Sequence, residues 1–317
     1  MKNRTGTIGR RPRIILAAVV AALEAALANH AMAVTYTAAD TFDLDSSALE
    51  GSGSRSSADG IAGGQQVGYG EGSNTGDAHA LLWSGTAASA LDLNPSTLLG
   101  SGSGSIAYAI AGGQEVGVGA GANTGGGEVA LLWSGTAASA VDLNPSTLLG
   151  SGSTSYAYGV AGGQQVGLGY GSNTGDNDVA LLWSGTANSA VDLNPSTLLG
   201  SGSSSQANAI AGGQEAGLGN GPNTGGENHA LLWSGTAASA VDLNPSALLG
   251  SGSGSVANAI AGGQEVGIGA GPNTGGGDVA LLWSGTAAGA VDLNPSALLG
   301  SGSQSTATGV ADGEEVG

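Results

Sequence analysis

The chain has 317 residues, 62 of them glycine, no cysteine, and a net charge of −18, with five of its six cations inside the first 13 residues. Beyond Ala33 only Arg55 offsets the acids, so the surface repels phosphate backbones and anionic headgroups, which argues against nucleic-acid binding and polybasic membrane attachment. No disulfide can staple the fold, so its stability has to come from packing.

Residues 1–33 read as a secretory signal. A basic stretch from Lys2 to Arg13 leads into an apolar run, Ile14 to Ala28, and then into the small-residue cleavage site Ala31-Met32-Ala33. The run is short for a bilayer span of ~20 residues and carries Glu24, so cleavage before Val34 is expected, with no membrane span remaining. Arg10-Arg11 is a hint of twin-arginine export. The expected location is secreted or cell surface.

Residues 34–317 form one repeat domain. Ala-Leu-Leu-Trp-Ser-Gly returns with its tryptophan at Trp83, Trp133, Trp183, Trp233 and Trp283, always 50 apart. A Gly-Gly-Gln turn recurs nearly in step at Gln65, Gln114, Gln164, Gln214 and Gln264, and as Asp-Gly-Glu at Glu314. The unit from Ala130 to Val179 holds four short apolar runs. Ala130 to Trp133 is apolar on both faces, as a strand covered from both sides requires. Ser139 to Leu143 places Val141 and Leu143 on one face and ends at Asn144-Pro145. Tyr156 to Ala161 alternates large residues (Tyr156, Tyr158, Val160) with small ones, and Gly162-Gly163 supplies a hairpin turn into Gln164 to Gly169.

Four short strands per ~50 residues, joined as hairpins, predict an all-β chain: a β-propeller of four-stranded blades, six with the last incomplete. The rival is a parallel β-solenoid. Val34 to Glu50 matches the second strand of a unit, Thr41-Phe42-Asp43-Leu44 against Ala140-Val141-Asp142-Leu143, and Glu315-Val316-Gly317 stops in mid-unit, so the sixth unit is expected to be split between the two ends. Thr35 to Leu44 is expected to fold beside Ser303 to Val316.

His79-Ala80-Leu81-Leu82-Trp83 and His229-Ala230-Leu231-Leu232-Trp233, with Ala58 to Gly68 and the Asp-Leu of the later strand, resemble the bacterial extracellular HAF repeats, named for a His-Ala-Phe signature. Leu stands for Phe in all five units, and Val-Ala replaces His-Ala in three. The resemblance covers essentially all of 36–317. It implies a secreted or surface protein of Gram-negative bacteria and brings no catalytic residues. The Pro-Glu-Pro sorting segment often found with such repeats is not among these residues.

Few residues carry chemistry. His79 and His229 share one slot three units apart and read as strand-start residues. Asp92, Asp142, Asp192, Asp242 and Asp292 recur at one repeat position, which suits a structural turn better than an active site. Asp176-Asn177-Asp178 lacks a complete calcium loop and reads as a solvated turn. The tryptophans are assigned to inter-blade packing rather than to sugar stacking. Unit-to-unit variation points to loops containing Tyr69, Glu71, Tyr170 and Asn220 as ligand-facing candidates. The expected function is a non-catalytic extracellular structural or adhesion module without cofactor or metal, the alternative a multivalent carbohydrate-binding propeller. Extracellular polysaccharide or cell-surface components are the expected partners.

Overall fold

The computed structural model describes residues 43–300 and 302–317. The expected signal segment, and Thr35 to Phe42 after it, lie outside the described residues. From Arg55 onward the chain is all-β, a propeller-type succession of five four-stranded antiparallel blades and a sixth, two-stranded hairpin. Blades 1 to 5 begin at Arg55, Gly104, Thr154, Ser204 and Gly254. In blade 3 the strands are Thr154–Ala161, Gln164–Tyr170, Val179–Trp183 and Val191–Asp192, paired in sequence order. Every ladder is antiparallel, which removes the parallel solenoid. The hairpin glycines Gly162 and Gly163 adopt φ of 58° and 80°, the left-handed geometry the tight turn requires.

Two predicted strands differ in detail. The fourth is only two residues, Val141–Asp142 in blade 2, preceded by a 3-10 turn over Ala137–Ser139. Asp142 Oδ1 accepts the Asn144 N–H at 2.7 Å, and this Asx turn closes the strand before Pro145. Val141 is therefore exposed at the blade edge while Leu143, two residues on, is buried beneath the helical turn Ser146–Leu149. The first strand carries a β-bulge: Ala157 faces Gly167 and Gly159 faces Val166, leaving Tyr158 as the extra residue. The bulge flips the alternation. Val160 joins Ala157 in the core instead of sharing a face with Tyr156 and Tyr158.

The core is a series of inter-blade layers. Between blades 2 and 3, Val116, Ala130 and Leu132 pack against Ala157, Val160, Leu181 and Trp183, with Leu143 and Leu149 of the linker closing the layer. The same residues recur between the other blades. All five tryptophans are fully buried, as the doubly apolar strand requires. The indole N–H of Trp133, Trp233 and Trp283 donates to the carbonyl of Leu93, Leu193 and Leu243 in the preceding blade, at 2.8–2.9 Å. These three tryptophans thus fasten their blades to the ones before, whereas the indole N–H groups of Trp83 and Trp183 are buried without a partner.

The last hairpin, Gly309–Ala311 with Glu314–Val316, packs on blade 5 through Ala307 and Val310. Among the described residues, Glu314–Val316 has no other strand partner. Leu299 is 57% exposed where Leu99, Leu149, Leu199 and Leu249 are fully buried, because among the described residues the last unit is only a two-stranded hairpin. The expected meeting with Thr35 to Leu44 falls mostly on residues outside those described.

Candidate functional site

Tyr69, Glu71, Tyr170 and Asn220 are strand residues, not loop residues. Glu71, Tyr170 and Asn220 end the second strands of blades 1, 3 and 4, with Tyr69 two positions before the end of the first. The loop after it is one residue shorter in blade 1, so Tyr69 corresponds to Val118 and Leu168, and Glu71 to Ala120 and Tyr170. Glu71 pairs with Arg55 on the surface, and Asn220 donates to Asn228 at 2.7 Å. These four side chains sit in three different blades and do not form one constellation.

The histidines are held structurally. His79 Nδ1 meets Asp92 Oδ2 at 2.9 Å and its Nε2 meets the Asn94 amide at 3.0 Å, so both ring nitrogens are occupied. His229 repeats this with Asp242 and Asn244. In every blade the aspartate's other oxygen accepts the Asx-turn N–H at 2.7–2.8 Å. Asp176 takes a left-handed turn conformation with φ of 59°, and Asn177 folds back onto Thr174. Both are turn geometry.

The bulge creates an accessible column where the units diverge. Its extra residues are Asp59, Tyr108, Tyr158, Asn208 and Asn258 in blades 1 to 5. Asn208 and Asn258 use the position to bind the next blade, donating to the carbonyls of Ala257 and Ala307 at 2.8 and 2.9 Å. Tyrosine cannot reproduce that bond. Instead Tyr108 and Tyr158 pack together with ring centroids 5.6 Å apart, and Tyr156, on the same strand, stacks on Tyr158 at 6.0 Å. All three rings are half-buried.

Acids surround this aromatic face. The Tyr156 hydroxyl donates to Glu128 Oε2. Burial, and then the neighbouring Tyr108, Asp178 and Glu128, push the Tyr158 phenol up to about 12. Tyr108 and Tyr156 are raised too, chiefly by burial and then by Glu128. The phenols therefore remain neutral donors. Glu128 also lines a groove of about 520 Å³ between blades 1 and 2, with Asp77, Ser105 and Ile106. Tyr156 occupies the Ile106 position one blade on, so groove and tyrosine face share the Glu128 carboxylate. A smaller groove of about 350 Å³ repeats between blades 4 and 5, with Val256 at that position. Aromatic rings beside carboxylates suit a neutral polyhydroxylated or a cationic ligand and disfavour an anionic one.

Sequence alternation missed this face because it placed Val160 beside the tyrosines. The legible signal was that Tyr108, Tyr156 and Tyr158 replace smaller or more polar residues of the other units.

No protein-family model matches the chain, and no curated protein matches it. Among solved structures, the crystal structure of puromycin hydrolase is similar over 80% of this chain and 49% of that one, at 10% identity and a TM-score of 0.29. This chain thus spans about half the length of that protein, and a likeness so distant bears on neither mechanism nor substrate.

Proposed function

We propose that the chain is a secreted or surface-held, non-catalytic adhesion module of the HAF-repeat kind, and that its tyrosine face binds carbohydrate of an extracellular polysaccharide or cell surface. The observation that carries this reading is the cluster of Tyr108, Tyr156 and Tyr158 at the bulge, beside Glu128 and Asp178, on an otherwise repetitive scaffold. Flat rings supply apolar stacking surface for sugar C–H faces, and the carboxylates accept hydroxyl hydrogen bonds. The tyrosines belong to two adjacent blades, which favours one site over one per blade. The signal-like residues 1–33 support export. A purely structural role is the second reading, favoured by the near-identity of the five units.

A glycan array tests it. Tyr108→Asn and Tyr158→Asn install the residue that blades 4 and 5 carry at the same bulge, so the scaffold tolerates them. Each is expected to weaken glycan binding by about tenfold or more with melting unchanged. Retention of no glycan by the unaltered protein would leave the structural reading. Measured turnover of a retained polysaccharide would overturn the non-catalytic one.

A further inference from the structure

One slot, buried in blades 2 to 5 and part-buried in blade 1, holds glutamine in two blades and glutamate in three. It is the second residue of the second strand's Gln-Gln or Gln-Glu pair: Gln66, Glu115, Gln165, Glu215 and Glu265. Each lies opposite the tryptophan of the third strand, as Glu215 lies opposite Trp233. In all five blades one side-chain oxygen accepts the N–H of the Ser-Gly turn, from Gly85, Gly135, Gly185, Gly235 or Gly285, at 2.8 Å.

The other terminal atom separates the two residue types. Gln66 and Gln165 donate their amide to the carbonyls of Gly64 and Gly163 at 3.1 and 3.0 Å. Glu215 and Glu265 are fully buried, and the equivalent atom, Oε1, has no partner. Glu115 is buried to the same degree. A carboxylate oxygen in the place of that amide has no proton to offer a carbonyl, whereas a carboxylic acid supplies the missing donor as glutamine does. Around Glu215 lie Ile210 on the first strand, Trp233 on the third and the Gly235 turn, none of them charged. No ionisable neighbour contributes to the shift of any of the three.

We infer that Glu115, Glu215 and Glu265 are held as neutral carboxylic acids in the folded protein, each donating its proton to the carbonyl of Gly113, Gly213 or Gly263, so that three blades carry an acid-strengthened lock. Burial raises all three carboxyls above 4.5, with the turn N–H bond opposing it. Between 4.5 and the folded value the native chain holds more protons than the unfolded one. The stabilisation is complete below 4.5 and is lost as pH rises through the folded value, so the repeat array tightens in acid.

The test compares the full chain with the triple variant Glu115→Gln, Glu215→Gln, Glu265→Gln. At pH 7 the variant is expected to melt higher by roughly 3 °C or more, and the difference should close near pH 4. Gln165→Glu is the reciprocal change and should lower the melting temperature at pH 7 but not at pH 4. Infrared spectra taken just above pH 4.5 should show a protonated carboxyl band that is stronger in the native protein than in the triple variant. A melting difference independent of pH, or a protonated carboxyl band of equal strength in the two proteins, would overturn the inference. The carboxyls common to both proteins, Glu50 among them, contribute the same background slope to each.

Discussion

Replacing Gly117 by alanine should destabilise the protein, against the ordinary expectation for a strand. Alanine loses less backbone entropy than glycine on folding, and in an element interior the exchange normally gains ~0.5–1 kcal/mol. At Gly117, however, an added Cβ would stand 1.9 Å from the Ile106 carbonyl oxygen and 2.9 Å from Ala107 Cα, both backbone atoms. Ordinary Cβ contacts do not fall below 3.0 Å, so the paired strands would have to part by more than 1 Å beside the Tyr108 bulge. Overpacking of this kind costs about 2–3 kcal/mol, which outweighs the entropy gain. The same contact recurs at Gly68, Gly167, Gly217 and Gly267, so each blade should respond alike. Gly135→Ala is the comparison: its φ is 78° with no atom within 4 Å of the added carbon, so its cost is the conformational ~1–2 kcal/mol alone. Urea unfolding followed by both tryptophan fluorescence and circular dichroism measures the difference, and coincidence of the two probes checks cooperativity. A Gly117→Ala protein as stable as the parent would refute the claim that the bulge carbonyl dictates this glycine.

Glu50 occupies the slot filled by Leu99, Leu149, Leu199 and Leu249, its carboxyl lying over Gly70 as Leu149 Cδ1 lies over Gly169. One oxygen takes the Ser46 hydroxyl at 2.7 Å and the other is buried without a partner. Burial raises this carboxyl, the Ser46 hydrogen bond opposes the rise, and Asp45 adds to it. Glu50→Leu should therefore stabilise by ~2 kcal/mol at pH 7, with the gain shrinking as pH falls through the raised native value to 4.5, where the native carboxyl is already neutral; melting at pH 7 and pH 4 measures both. Trp133→Phe removes the donor to the Leu93 carbonyl, whereas the Trp183 indole N–H has no partner to lose. Trp133→Phe should cost ~1 kcal/mol more than Trp183→Phe in urea titrations, and equal costs would show that the inter-blade indole bond contributes nothing.

The sequence alone determined the blade. Fixed return of Ala-Leu-Leu-Trp, glycine pairs at each hairpin and Asp-Leu-Asn-Pro at each strand end are local statements about burial, positive φ and turn closure. Local chemistry is what periodicity reports. It placed the tryptophans in the core and the repeated aspartates in turns, as found at Trp133 and Asp142. Tertiary structure decided what depends on two strands at once. The bulge at Tyr158 is a mismatch between strands, so alternation along one strand assigned Val160 to the wrong face. The same mismatch leaves Tyr108 and Tyr158 half-buried and packed on each other outside the inter-blade core and forces glycine at Gly117 and Gly167 opposite. The slot shared by Gln165 and Glu215 is likewise ordinary polar sequence until the turn N–H and a buried carbonyl close around it. Desolvation is a property of the packed neighbours, and no single segment encodes it.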